Sequence, residues 1–280
     1  MSTQTDIETL HTWINKCKPG DMVFFGGAGV STESGIPDFR SADGIFMKSV
    51  GRNLAPEQVV SRSFFDLSPK EFYDVYCTKM VFRDAKPNPA HLKLAELEQR
   101  GILRSVITQN IDGLHQMAGC RNVWELHGSI HRNYCMDCHR YYGLDEMLQQ
   151  REQSSDGIPH CDCGGIIKPD VVLYEESLDE AVLEQSVYDI QHARLMVVAG
   201  TSLVVNPAAS LVRYFQGDHL VIVNLSPTYA DSIADLCINE KIGKVFNFTM
   251  LRWGCSCGAV FPSVDISGVD APGVLVPEDL

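Results

Sequence analysis

Three groups of residues in this chain have the types and spacing to do chemistry. The first is Gly26–Ser41, reading Gly-Gly-Ala-Gly-Val-Ser-Thr-Glu-Ser-Gly-Ile-Pro-Asp-Phe-Arg-Ser, directly after the apolar run Met22–Phe25. A strand that empties into closely spaced glycines suits a phosphate-binding turn, because the backbone can approach an anion and point N–H groups at it. The match to the dinucleotide fingerprint is partial: Gly27-x-Gly29-x-x-Thr32 lacks the third glycine, and no acidic ribose partner lies about 20 residues on. The second group is Cys135-x-x-Cys138 with Cys161-x-Cys163. Two cysteine pairs in tight turns are what a tetrahedral zinc site requires, and four sulfurs would make it structural rather than catalytic. His160-x-x-Cys163 is an alternative register; Cys161 is preferred because a thiolate binds zinc more strongly than a neutral imidazole. The third group ends two apolar strands: Thr108-Gln109-Asn110-Ile111-Asp112-Gly113-Leu114-His115, and His127-Gly128. Amides and a carboxylate can read a carboxamide and ribose hydroxyls. A histidine just past a strand edge is a candidate general base.

These residues need a scaffold that brings strand ends together. Met22–Phe25, Leu103–Thr108, Val123–Leu126, Leu195–Ala199 and Leu220–Leu225 read as short, largely apolar strands, the pattern of parallel strands covered on both faces. Helices alternate with them. Asn88-Pro89 starts one that Gly101 closes, Ser177-Leu-Asp-Glu180 is a capping box for another, and Asn206-Pro207 caps a third. Strand and helix in repetition predict an α/β fold, a Rossmann-type doubly wound and mostly parallel sheet. Gly200-Thr201-Ser202 and Asn224-Leu225-Ser226 end two further strands at the same ligand edge.

Two stretches break the rhythm: an aromatic, helix-like one and the cysteine-bearing one. The expected division is a discontinuous dinucleotide-binding domain over 1–43, 83–130 and 169–248. Residues 44–82 form a helical module and 131–168 a zinc ribbon, together a smaller lobe; 249–280 is a tail without periodicity. Cys255-x-Cys257 in that tail lacks a partner pair, and Cys17, Cys77, Cys120 and Cys237 read as buried thiols. A net charge of −13 over 280 residues argues against a general nucleic-acid or anionic-membrane surface. No apolar run approaches the ~18 residues of a membrane span. Without an export signal, 10 cysteines fit a reducing cytoplasm, and a monomer is plausible.

The string Gly27–Arg40, Thr108–His115, His127-Gly128, the two cysteine pairs, Lys168-Pro-Asp-Val-Val172, Gly200-Thr-Ser202 and Asn224 resembles, in this order, the sirtuins, NAD-dependent protein lysine deacylases. The resemblance covers roughly residues 5 to 248. It implies that NAD is consumed and that structural Zn supports the small lobe, with acyl-lysine proteins or peptides as partners. Ala28, Gly29 and Thr32 would then meet the pyrophosphate side, and Phe39 and Arg40 would lie over the nicotinamide end. Gln109, Asn110, Ile111 and Asp112 would hold nicotinamide and its ribose, with Asn110 and Asp112 stabilising developing charge and placing water. Thr201, Ser202 and Asn224 would serve the adenosine half, and Lys241-Ile242 would cover adenine. His127 would take a proton from a ribose hydroxyl, and the products would be free lysine, nicotinamide and O-acyl-ADP-ribose. Val171, Val172, Leu173 and Tyr174, within Lys168–Tyr174, would receive the peptide as an added strand.

Two departures from the family pattern carry expectations. Tyr174-Glu175-Glu176 stands where many members have aromatic-Gly-Glu, which predicts a stiffer peptide-side loop. Tyr73-Asp74-Val75-Tyr76 lacks the arginine of members that prefer succinyl or malonyl groups, so neutral acyl groups are expected, acetyl first. The competing readings are an ADP-ribosyltransferase or NAD glycohydrolase on the same scaffold, a non-catalytic NAD-sensing zinc module, and a dehydrogenase. The intact Asn110, Asp112 and His127 disfavour the sensor, and the missing acidic ribose partner disfavours the dehydrogenase.

Overall fold

The computed structural model describes residues 3–38 and 56–250; Phe39, Arg40, Cys255 and Cys257 lie outside them. Its strands are β1 (Met22–Gly26), β2 (Leu103–Thr108), β3 (Val123–Glu125), β4 (Gly128–Cys135), β5 (Tyr141–Tyr142), β6 (Ile167–Val171), β7 (Leu195–Ala199), β8 (His219–Val223) and β9 (Leu236–Ile238). Six of them form one sheet in the order β3-β2-β1-β7-β8-β9, every pairing parallel. β1 and β7 are buried at every position, as runs covered on both faces must be. Side chains alternate across the sheet: Val23 and Phe25 join Ile190, Leu211 and Val212 on one face. Phe24 meets Phe246 edge-on from the other, with ring centroids 5.7 Å apart. The order reverses between β1 and β7, and a doubly wound sheet opens its ligand crevice at the carboxyl ends of such a pair.

The helices are α1 (Thr3–Lys16), α2 (Pro56–Val59), α3 (Arg62–Leu67), α4 (Pro69–Lys79), α5 (Pro89–Gln99), α6 (Leu114–Met117), α7 (Leu144–Gln153), α8 (Glu180–His192) and α9 (Ile242–Phe246). Asn88 caps α5 through Ala90 N, as expected. The cap of α8 is Asp179, which accepts from Val182 N at 2.9 Å, and not Ser177; a carboxylate one residue from the first turn is the better acceptor for that orphan N–H. After Asn206-Pro207 the chain forms a tight 3₁₀ turn over Ala208–Tyr214 with no side-chain cap, and Asn206 lines a cleft instead. Cys17 and Cys120 are buried, but Cys77 is only partly so, and Cys237 is exposed on the edge strand β9.

The smaller lobe has its own antiparallel sheet, β5-β4-β6, packed with α3, α4 and α7 around Phe65, Phe72, Tyr73 and Tyr76. β4 starts at Gly128 and β6 runs to Val171, on either side of the expected 131–168 limits.

Behind β1, His91 and His115 are buried with ring centroids 4.7 Å apart. Asn88 N donates to His91 Nδ1, so that nitrogen is unprotonated, while His91 Nε2 and both nitrogens of His115 have no partner in the described structure. Burial holds His91 down at about 4, and it holds His115 well below the ordinary imidazole value. The folded state therefore keeps both rings neutral, whereas the unfolded chain takes up protons near pH 6.5. The stability these rings contribute is present above pH 6.5 and is lost as pH falls below it; for His91 the loss is complete near pH 4. Urea unfolding at steps between pH 7.5 and 4 should give a falling midpoint in the native chain and a shallower decline in His91→Leu.

Candidate active site

β1 ends at Gly26 and the glycine turn follows without a break. Gly27 N donates to Ala199 O and Gly29 N to Gly200 O, tying the turn to the end of β7. The approach is so close that a Cβ on Gly29 would stand 2.7 Å from Gly200 Cα, and one on Gly27 would stand 2.7 Å from Thr201 Cβ. A cleft of about 830 Å³ opens at this point. Ala28, Gly29, Thr32, Gln109, Asn110, Ile111, Asp112, His127, Thr201, Ser202, Asn224, Lys241 and Ile242 all line it, and so do Val171–Tyr174. Every expected cofactor and substrate residue within the described range therefore borders one cavity. A dinucleotide site requires that convergence, and the close backbone approach of the two turns that Gly27, Gly29 and Gly200 permit fits backbone recognition of a pyrophosphate.

The floor of the cleft is a hydrogen-bonded array. Ser31 Oγ donates to Asp112 Oδ2 at 2.6 Å and accepts from Asn110 Nδ2 at 3.1 Å. Asp112 Oδ1 takes Leu114 N at 2.9 Å, and Asn110 N donates to Thr108 Oγ1. Burial raises the Asp112 carboxyl above its ordinary value, against the opposing hydrogen bond from Ser31. Gln109 Nε2 reaches Thr201 Oγ1 at 3.1 Å, and Asn224 clasps Thr201 by Oδ1 to its N–H and Nδ2 to its carbonyl. Ser31 was not among the expected residues: a serine inside a tight turn carries no signal until its fold partners, Asn110 and Asp112, are placed beside it. Glu33 also lines the cleft, its Oε2 accepting Gly243 N at 2.7 Å and so joining the glycine turn to the start of α9.

His127 follows β3 and faces the cleft. Its Nδ1 lies 2.9 Å from Gln109 O, and a carbonyl can only accept, so Nδ1 carries the hydrogen and Nε2 keeps its lone pair. Burial depresses the imidazole below its ordinary value, and the Gln109 bond opposes this only in part. The ring is thus a neutral base of fixed tautomer at neutral pH.

The segment expected to receive a peptide is extended but already engaged. Val172 N donates to His127 O, Tyr174 N to Val60 O, and Arg62 N to Tyr174 O; Leu173 N bonds Glu176 Oε2 and Leu173 O accepts Glu176 N. These bonds occupy main-chain groups that a continuous ladder would use, which narrows the added-strand expectation.

Away from the cleft, Cys135, Cys138, Cys161 and Cys163 offer sulfurs that all lie within 4.8 Å of one another. Cys135 and Cys163 sulfurs are 3.4 Å apart and those of Cys138 and Cys161 3.5 Å, close to the edge of about 3.8 Å expected for a zinc tetrahedron with ~2.3 Å bonds. A Cβ on Gly165 would stand 2.8 Å from Cys135 Sγ, so the turn holds glycine there. His160 is turned away, its Nε2 3.0 Å from Asp156 Oδ2. The four clustered sulfurs fit structural zinc, with Cys161 rather than His160 among them. Among the described residues, no helix is long and apolar enough to cross a membrane.

Residues 27–207 match the Sir2 family model. The chain is 54% identical over 239 residues to a Clostridium perfringens NAD-dependent protein deacetylase, covering 83% of this chain and 96% of that one. It is likewise 54% identical over 225 residues to a Clostridium acetobutylicum protein of the same description, covering 80% and 90%. Among solved structures, a Sir2–p53 peptide–NAD+ complex superposes with a TM-score of 0.74 at 38% identity, covering 86% of this chain and 95% of that one. A Sir2 bound to a propionylated peptide does so at 0.73, with the same identity and coverage.

The metal assignment is open to direct test. The chain should carry one zinc, released on thiol titration; Cys161→Ser should lose it and unfold the small lobe at lower temperature. His160→Ala should keep it.

Proposed function

The chain belongs to the Sir2 family and is an NAD-dependent protein deacetylase, and on that footing we propose the roles that its cleft residues play. His127 is the general base: its Nε2 lone pair, directed by the Nδ1–Gln109 bond, takes a proton from a ribose hydroxyl. That fixed, neutral imidazole beside the buried Asn110–Ser31–Asp112 array is the observation that carries the reading. NAD would supply the scissile nicotinamide–ribose bond and the hydroxyl, and the acyl-lysine would supply the acyl oxygen that takes nicotinamide's place on the ribose carbon; apart from His127, the cleft residues position these groups. Asn110 and Asp112 stabilise positive charge and place water, with Ser31 fixing both side chains. Ala28, Gly29 and Thr32 hold the pyrophosphate side, Gln109 and Ile111 the nicotinamide side, and Thr201, Ser202 and Asn224 the adenosine side. Lys241 and Ile242 cover adenine. Phe39 and Arg40 would complete the nicotinamide end.

Acyl-lysine peptides are the partners on this reading, held along Val171–Tyr174. The named complexes with acetylated and propionylated peptides support this substrate class. The preference for neutral acyl groups rests on the helical module. Tyr73 and Tyr76 are fully buried in the small-lobe core, Tyr73 donates to Ile167 O, and Tyr73-Asp74-Val75-Tyr76 offers no arginine to pair an acyl carboxylate. A cytoplasmic location, and the division into a dinucleotide domain, a helical module and a zinc ribbon, belong to the same reading.

Mass spectrometry of products from NAD and an acetyl-lysine peptide should show O-acetyl-ADP-ribose. ADP-ribose formed without peptide, or attached to protein, would point instead to the glycohydrolase or transferase reading. His127→Ala should keep fold and zinc but lose at least about a hundredfold in peptide-dependent nicotinamide release, the usual scale for a lost general base. Because burial lowers the imidazole, the base is lost only as pH falls through a value below 6.5, so the acid limb of kcat/KM should lie under pH 6.5. Succinyl-peptide turnover equal to acetyl-peptide turnover would refute the acyl preference.

A further inference from the structure

The peptide-side loop carries a backbone conformation that its residue type does not favour. Glu175 has φ +77, in the left-handed region, where a glutamate is strained and glycine is not. Such strain persists only where surrounding contacts over-determine it. The contacts here are specific. The Glu175 carboxylate accepts from Ser63 N at 2.8 Å and from Ser63 Oγ at 2.9 Å.

Ser63 stands in the first turn of α3, where N–H groups have no partner within the helix. The N–H groups of Arg62, Ser63 and Phe64 in that turn are all met, two of them by the loop. Arg62 N reaches Tyr174 O, Ser63 N reaches Glu175, and only Phe64 N uses the local cap, Ser61 Oγ. The next residue adds a second tie, since Glu176 pairs with Arg62 Nη1 at 3.2 Å and with Lys168 Nζ at 3.1 Å. A negative charge placed at a helix N-terminus is favourable, and a charge-assisted bond is roughly twice as strong as a neutral one. Tyr174, Glu175 and Glu176 all line the cleft.

We propose that Glu175 is a positioning residue for the peptide: its carboxylate caps α3 from outside, fixing the Tyr174–Glu176 loop to the helical module before substrate arrives. The inference rests on the deacetylase reading and on Val171–Tyr174 as the peptide wall. A glycine at 175 would take the same backbone without strain but would leave Ser63 N uncapped and remove one of the loop's ties to α3. Strain accepted for a latch implies that loop order contributes to peptide binding, because ordering a loop on binding weakens apparent affinity.

The test uses the full chain with saturating NAD and a varied acetyl-lysine peptide. Glu175→Ala should raise the peptide KM about fivefold or more, the scale of a lost hydrogen bond to a charged group, while the NAD KM stays within about twofold. Ser63→Ala, which removes one of the two contacts, should give a smaller rise in the same constant. Glu175→Gln keeps an acceptor oxygen for Ser63 N and should restore most of the native KM. An unchanged peptide KM in Glu175→Ala overturns the proposal. So does an equal rise in both KM values together with a lower melting temperature, since a merely structural role would act on both. If Glu175→Ala does not fold, an unchanged peptide KM in Ser63→Ala is the overturning result. Failure of the deacetylase reading looks different: the native chain itself would release no nicotinamide in response to peptide.

Discussion

The structure turns on the contact between two strand-end turns. β1 and β7 are adjacent and parallel, and each runs into glycine, so the turns beyond them touch through backbone alone. A Cβ on Gly200 would stand 2.5 Å from Val30 N, as intolerable as one on Gly29 against Gly200. Without that closeness the turn N–H groups would stand apart from Thr201 and Asn224, and Gln109 could not reach across to Thr201 Oγ1. The glycines serve less as flexible points than as absent volume. Two strands that must diverge at the switch point of the sheet leave a crevice, and the missing side chains let its walls close to the width of an extended cofactor.

What could be read from the sequence followed from how directly a residue type reports its environment. Strands β1 and β7 were legible because a strand covered on both faces must be apolar throughout, and few other settings ask that of a short run. The zinc cysteines were legible because ligand spacing is fixed by the metal. Caps were harder: Ser177 and Asp179 both fit a helix start, and only the backbone decides which carries the bond. The 3₁₀ turn after Pro207 was hidden because Asn-Pro begins α and 3₁₀ turns alike. Within the site, residues at strand ends were found from their position in the sheet. Ser31 and Glu33 were missed because their partners, Asp112 and Gly243, are distant in sequence.

The glutamates of the peptide-side loop are engaged on its outer side, Glu175 by Ser63 and Glu176 by Arg62 and Lys168. The same bonds explain why the segment does not present an open ladder edge. A loop tied down on its outer side by Val60 and Arg62 can offer the cleft side chains and little free main chain.

The chain passes from the large sheet to the small one at His127 itself. Glu125 ends β3, His127 follows, and β4 begins at Gly128, whose φ of +74 makes the turn. No other residue fits there, because a Cβ would lie 1.8 Å from Asp170 O. Arg132 then grips both sides of the crossing, Glu125 at 2.6 Å and Asp170 at 2.8 Å, while His127 O accepts Val172 N from the peptide wall. Glu125 is buried enough (side chain 7% exposed) that its pairing resists solvent and salt better than a surface bridge would. The imidazole is therefore fixed to the large domain through Gln109 and to the small lobe through its own carbonyl. On the proposed reading, a base anchored to one lobe alone would move if the cleft opened and would lose the ribose hydroxyl. Held at the crossing, it keeps to the floor of the cleft beside the wall proposed for the peptide.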